Sequence, residues 1–176
     1  MKTKSILITG GAGFIGSHLV NSLIDVNNVI VIDNLSNGTY KHIQNHIKNE
    51  NFFFYNKDIV KDNLDDIFKT HSINKIYHFA ANSDIEKSYK NPDIDYLNTF
   101  STTFNILKLM VKFNIGEIVF ASTSAIYGDT LDLLHENYGP LLPVSHYGAN
   151  KLASESVISS FTANYNLKSI IVRFPN

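Results

Sequence analysis

Ser5-Ile6-Leu7-Ile8-Thr9 runs straight into Gly10-Gly11-Ala12-Gly13-Phe14-Ile15-Gly16. A short apolar segment followed at once by closely spaced glycines predicts a buried strand that turns sharply into a helix. The glycines fit both G-x-G-x-x-G, through Gly11, Gly13 and Gly16, and G-x-x-G-x-x-G, through Gly10, Gly13 and Gly16. Such a loop lets the backbone turn tightly, approach a ligand closely and pack the helix hard on the strand. Free amides and the positive end of the helix then face an anion, and a pyrophosphate suits the loop.

The rest of the chain continues the alternation. Strands are predicted near Ser5 to Thr9, Val29 to Ile32, Phe52 to Tyr55, Lys75 to Phe79, Glu117 to Ala121 and Ser169 to Val172. Several are apolar with little alternation, as parallel strands buried on both faces should be. Helices fit between them, near Gly16 to Val26, Asp62 to Thr70, Pro92 to Phe113 and Tyr147 to Tyr165. In the third, Phe100, Phe104, Leu107 and Val111 recur at helical spacing and predict a stripe packed on the sheet. The expected fold is α/β: a doubly wound parallel sheet of the Rossmann kind, in three α/β/α layers, over residues 1–176. Right-handed crossovers place the loops that follow the strands along one edge, where ligands bind.

An acid stands where a dinucleotide would need one. Asp33 ends the second strand, about twenty residues beyond the glycine loop. A carboxylate there accepts ribose hydroxyls and repels a 2′-phosphate, which predicts NAD rather than NADP. The following Asn34-Leu35-Ser36-Asn37-Gly38 carries no cation for that phosphate. Asp58-Ile59 falls after the third strand, beside the expected adenine, although a surface loop aspartate is the alternative for Asp58.

Composition narrows the partners. Apolar residues make up 44% of the chain, charged residues 18%, and the net charge is -1. With no basic run, binding to nucleic acid or an anionic membrane through bulk charge has no support. No cysteine is present, so disulfides and cysteine-ligated metals are excluded, and a cytoplasmic setting is expected. The seven histidines are scattered without metal-ligand spacing, and no metal is expected. The apolar run after Met1-Lys2-Thr3-Lys4 is too short for a signal peptide or a membrane span.

Tyr147 and Lys151 stand four residues apart, on one face of a helix. A free tyrosine ionises only near a pH of about 10. A neighbouring ammonium favours the phenolate, so the pair could move a proton on or off a substrate hydroxyl.

Taken in order, Gly10-x-x-Gly13-x-x-Gly16, Asp33 to Gly38, His78-Phe79-Ala80-Ala81, Ser122-Thr123-Ser124 and Tyr147-x-x-x-Lys151 resemble the extended short-chain dehydrogenase/reductase family. The likeness is to its NAD-dependent nucleotide-sugar epimerase/dehydratase branch, and within it to the UDP-glucose 4-epimerases. It covers essentially the whole chain. It implies that Phe14 and Ile15 touch the pyrophosphate, that Asp33, Asn34, Asn37 and Gly38 hold the adenosine ribose, and that Asp58 and Ile59 meet the adenine. Phe79, Ala80 and Ala81 match the stretch beneath the cofactor, Asn98 a position near the nicotinamide, and Phe174 the lining of the nicotinamide pocket just past the last strand. Thr123 matches the hydroxyl that binds the reacting sugar oxygen, with Ser122 and Ser124 as fallbacks. Tyr147 matches the acid/base, and Lys151 the residue that holds the nicotinamide ribose and tunes the phenol.

The resemblance implies a reaction in which hydride passes from sugar C4 to NAD and back through a 4-keto sugar. Dehydratases of the branch carry an Asp-Glu pair after the catalytic hydroxyl, and decarboxylases a glutamate. Ser124 and Ala125 stand there, which argues for epimerisation of a nucleotide-sugar, expected to be a UDP-hexose. A dehydratase or dehydrogenase of the same family is the alternative, as is a non-catalytic NAD-binding module. Family members usually have a C-terminal part that grips the sugar nucleotide, so the chain is expected to be a fragment lacking that domain. Phe104, Val157 and Phe161 could serve a homodimer contact or simply the core.

Overall fold

The computed structural model describes residues 4–175. Six strands alternate with helices: β1 (Lys4–Thr9), α1 (Phe14–Leu23), β2 (Asn27–Asp33), β3 (Phe52–Asn56), α2 (Asp65–Thr70), β4 (Ile73–His78), α3 (Ile85–Lys90), α4 (Asp93–Asp95), α5 (Ser101–Lys112), β5 (Glu117–Thr123), α6 (His146–Tyr165) and β6 (Lys168–Phe174). All pairings are parallel, in the order β3-β2-β1-β4-β5-β6. The order reverses between β1 and β4, which opens a crevice at the carboxyl ends of those strands.

Side-chain alternation along the strands builds a core on each face. Leu7, Ile30 and Ile32 point to one side, against Ile67 and Phe68 of α2, Ile106 and Met110 of α5, and Ile158 of α6. Ile6, Ile8, Val29 and Val31 point to the other, against Val20 and Ile24 at α1 and Ile43 between two short 3₁₀ turns. The result is the expected α/β/α sandwich.

Some local expectations need correction. The segment predicted as one helix from Pro92 to Phe113 is α4, a π-helical turn over Tyr96–Phe100, and then α5. The extra residue in that turn rotates the helix, so the sheet-facing row is Thr99, Thr103, Ile106 and Met110, all buried. Of the predicted stripe Leu107 is buried, whereas Phe104 is 37% exposed. Helix α3 has no strong periodic signal and starts at an Asp84 cap, whose carboxylate accepts from the Lys87 amide. Strand β6 reaches Phe174, so that residue ends the strand rather than following it.

Candidate active site

Strand β1 delivers its chain into the crevice through Gly10, whose φ of 70° suits glycine. A Cβ at Gly16 would stand 2.3 Å from the Gly10 carbonyl oxygen, so α1 packs on the loop only because position 16 has no side chain. Phe14 and Ile15, 73% and 43% exposed, open the helix at the mouth of the crevice. On the next strand Asp33 is buried. Its two oxygens accept the amides of Ala12 (2.9 Å) and Leu35 (2.8 Å), which ties the glycine loop to the end of β2. Leu35 adopts a left-handed φ of 58° to make its bond.

Asn34 donates to Asp58 at 3.1 Å. Partial burial works against ionisation of Asp58, but the Val60 amide and Asn34 outweigh it and hold the carboxyl below its usual range. The 34–38 segment carries no cation, but Lys57 at the end of β3 lines the same cleft, with its Nζ 4.0 Å from Asp62.

The floor is fixed by a directed chain of hydrogen bonds. The Ala80 amide donates to Thr9 Oγ1 (3.3 Å); because Thr103 gives its own proton to Thr99, neutral His78 carries its proton on Nε2, and the Thr9 hydroxyl donates to Nδ1 (2.6 Å). His78 Nε2–H then donates to Thr103 Oγ1 (3.0 Å), and Thr103 to the Thr99 carbonyl (3.0 Å). Complete burial, helped by the nearby Lys151 charge, pushes His78 down to about 3, so it is a neutral strut here.

At the far end, β5 presents Ser122 and Thr123. Ser122 is hydrogen-bonded to the buried Glu155, which pairs with Arg173 of β6 at 2.8 Å. Thr123 accepts the Ala125 amide at 3.2 Å, leaving its hydroxyl proton free to donate. Helix α6 starts at a Ser145 cap and brings Tyr147 and Lys151 to the same wall. Lys151 is 2% exposed, donates to the Ala121 carbonyl at 2.6 Å, and lies 5.8 Å from the Tyr147 ring centre.

The electrostatics of this pair depart from expectation. Burial pushes Lys151 down to about 7, against the pull of Asp95 and Glu155. The Tyr147 phenol is raised rather than lowered: burial raises it, the Thr123 hydroxyl opposes, and the negative charge of Asp95 adds to the rise. The Lys151 ammonium donates to a carbonyl and its pKa is pulled down to about 7, so it does not by itself acidify the phenol.

One cleft of ≈ 580 Å³ collects these groups. Gly10, Gly13, Phe14, Ile15, Gly16, Asp33, Asn34, Asn37, Gly38, Asp58, Ile59, Phe79, Ala80, Ala81, Asn98, Thr123, Tyr147, Lys151 and Phe174 all line it. Asn98 does so from the π turn. Ser122 lines it as well, whereas Ser124 does not. Sequence reasoning missed Ser36, His42, Ser83 and Thr102, which line the cleft from loops and from the rotated helix. It also missed Asp95, fully buried behind the wall, whose only signal is an acid set between Ile94 and Tyr96-Leu97.

Comparison with known proteins gives a consistent answer. The family model described as GDP-mannose 4,6 dehydratase matches residues 7–176. A UDP-glucose 4-epimerase of Halalkalibacterium halodurans is 39% identical, over 98% of this chain and 50% of its own length. A solved UDP-N-acetylglucosamine 4-epimerase of Methanobrevibacter ruminantium, in complex with UDP-N-acetylmuramic acid, superposes with a TM-score of 0.91 at 32% identity, covering 98% of this chain and 55% of that one. The Thermus thermophilus UDP-glucose 4-epimerase in complex with NAD gives 0.87 at 31% identity, over 96% and 54%. The chain spans about half the length of the curated relatives it matches. A parallel sheet whose crevice gathers a glycine loop, a buried acid at the end of β2 and a Thr-Tyr-Lys set thus belongs to the family of that dehydratase model, the short-chain dehydrogenase/reductase type of nucleotide-sugar epimerases and dehydratases.

Proposed function

We propose that this chain is the NAD-binding part of a nucleotide-sugar 4-epimerase acting on UDP-hexoses of the UDP-glucose/UDP-galactose type. The observation that carries the reading is the shared cleft: Thr123, Tyr147 and Lys151 line the same crevice as the glycine loop and Asp33. The residues fit the dinucleotide. A Cβ at Gly16 would collide with the glycine loop's own backbone and push the helix off it, and the Asp33 oxygens keep lone pairs for ribose hydroxyls beyond the two amides they accept. Gly10, Gly13 and Gly16 with Phe14 and Ile15 would hold the pyrophosphate. Asn34, Asn37 and Gly38 would join Asp33 at the ribose, and Asp58 and Ile59 would take the adenine. Phe79, Ala80, Ala81, Asn98, Lys151 and Phe174 would surround the nicotinamide half.

NAD, when bound, supplies a reversible acceptor for the hydride of the sugar C4–H. Tyr147 takes the proton of the sugar 4-hydroxyl and later returns it. Thr123 hydrogen-bonds the same oxygen, and Lys151 holds the nearby ribose. Acid–base assistance of this kind supplies roughly 10²–10⁴ in rate. Elimination would need carboxylates after Thr123, and Ser124 and Ala125 provide none. In the full-length protein, replacing Tyr147 with Phe should leave NAD affinity within about twofold and abolish interconversion of UDP-glucose and UDP-galactose. Retained interconversion refutes the role of Tyr147, and lasting NADH in the wild type points to a dehydrogenase.

A second reading rests on the chain covering half of its relatives: alone it binds NAD and turns over little. Epimerase activity of the isolated chain excludes it.

We also propose that a second copy covers the aromatic stripe of α5 and α6, and that the protein works in the cytoplasm. Tyr96, Phe100 and Phe104 stack in a ladder, and Phe161 meets Phe104 edge-on, with Tyr96, Leu97 and Tyr165 exposed beside them. Among the described residues no helix is long and apolar enough to cross a membrane. Sedimentation of the wild type as a dimer and of Phe104→Glu as a monomer is expected; a monomeric wild type overturns the dimer.

A further inference from the structure

Asp95 closes α4, immediately before the π turn, and is fully buried. Its Oδ1 accepts from Asn82 Nδ2 at 2.9 Å and from Thr99 Oγ1 at 3.4 Å. Its Oδ2 is buried with no hydrogen-bond partner, the one such side-chain atom among the described residues. An unpaired buried carboxylate oxygen is costly, so this carboxylate calls for a compensating positive group. Lys151 is the only buried lysine among the described residues, on the helix against which α4 and the π turn pack. Its Nζ can donate three hydrogen bonds and makes one within the protein, to Ala121. An unspent acceptor and unspent donors therefore stand on two packed elements.

We infer that Asp95 is a positioning residue for the Tyr147–Lys151 centre: the buried counter-charge that favours the ammonium form of Lys151 and the phenol form of Tyr147 in the free site. This rests on reading those two residues as the proton-handling pair.

The charged surroundings leave few other candidates. Glu155 on α6 lies near Lys151 but is engaged by Arg173 and Ser122. His78 on β4 is neutral. Helix α3, packed on α4 and α6, carries Glu86, Lys87, Tyr89 and Lys90, all exposed. Asp93 and Tyr96, either side of Asp95, are exposed too. Burial lowers Lys151, and among the groups that pull it back Asp95 stands first. The same charge raises Tyr147, although burial contributes more to that rise.

The sign of one change separates a charge effect from a merely structural one. Asp95→Asn keeps an acceptor for Asn82 and removes the charge. If Asp95 is the counter-charge, the Lys151 midpoint falls below about 7. If Asp95 only braces the turn, loosening hydrates Lys151 and moves its midpoint up, toward 10.5. The experiment is a pH titration of the 13C-lysine-labelled chain by NMR, with Lys151→Met to assign the resonance. A midpoint lower by half a unit or more in Asp95→Asn, a threefold or larger change in the protonation constant, supports the inference. An unchanged or raised midpoint overturns it.

Should Asp95→Asn fail to fold, Asp95→Ser decides by the same titration: a Lys151 midpoint lower by half a unit or more supports the inference, and an unchanged or raised one overturns it. NAD binding is measured on the same wild-type sample. No binding together with a lowered Lys151 midpoint in Asp95→Asn would sink the proposed function and leave this inference standing.

Discussion

Three residues show how single side chains set the chemistry of the crevice. His78 was legible only as part of a family motif, yet packing makes it a strut that reads both Thr9 and Thr103. Its folded-state value of about 3 lies below the ordinary 6.5, so the unfolded chain takes up its proton first on acidification. The stability it contributes is complete above pH 6.5 and is lost as pH falls toward 3. Urea unfolding should therefore weaken across that window by at most about 1.4 kcal/mol per pH unit from this group. His78→Gln should flatten the slope while lowering stability at pH 7; an unchanged slope contradicts the assignment. Lys151, lowered from 10.5 to about 7, works in the same sense at higher pH, adding stability as pH rises from 7 to 10.5. Gly16 carries a steric prediction. A methyl placed 2.3 Å from the Gly10 oxygen must push α1 off the loop, so Gly16→Ala should lower the melting temperature and cost at least tenfold in NAD affinity by fluorescence titration. The glycine was identified from spacing alone, since the need for a missing Cβ is a local property of the strand-to-helix turn. The direction of the Tyr147 shift was not, because it depends on burial and on Asp95, which lies 52 positions away in the chain.

At the scale of elements, a partly buried ion pair links α6 to β6. Arg173 donates to both Glu155 oxygens (3.1 and 2.8 Å), to the Tyr127 hydroxyl (2.9 Å) and to the Glu136 carbonyl (2.9 Å). It thereby also fastens the loop that follows β5. Removing one partner leaves a charge stranded, whereas removing both does not. Arg173→Met should cost about 3 kcal/mol in urea unfolding, and adding Glu155→Leu should recover part of the loss. Equal or additive losses would show that the pair acts independently. The positions of β1, β2 and β5 were readable because doubly buried strands need uninterrupted apolar residues. The face of α5 was not. One extra residue in the Tyr96–Phe100 turn shifts the phase, and periodicity cannot register it. Helix α3 escaped for a related reason: six residues are too few to display a period, and its cap and tertiary contacts hold it.

For the whole molecule, cofactor binding and folding are one equilibrium. A ligand that binds only the folded chain stabilises it by about 2.7 kcal/mol at one hundred times its dissociation constant. In a domain of this size that corresponds to a rise in melting temperature of roughly 5–10 °C. NAD should produce it in a thermal scan of the chain, and NADP at equal concentration should give much less if Asp33 takes the proposed place at the adenosine ribose, where its carboxylate repels a 2′-phosphate. A larger shift with NADP would reverse the choice of cofactor. Spacing and pattern by themselves determined the parallel α/β architecture, the glycine cradle, the acid at the end of β2 and the phenol–ammonium pair on one helix face. Those features depend on steric and periodic rules that act within a few residues. Tertiary structure alone decided which face of α5 enters the core, that the Lys151 ammonium turns to the Ala121 carbonyl, and that Asp95 Oδ2 stands without a partner behind the wall. Burial and electrostatic neighbours arise only when distant segments pack together, so no local reading of the chain could reach them.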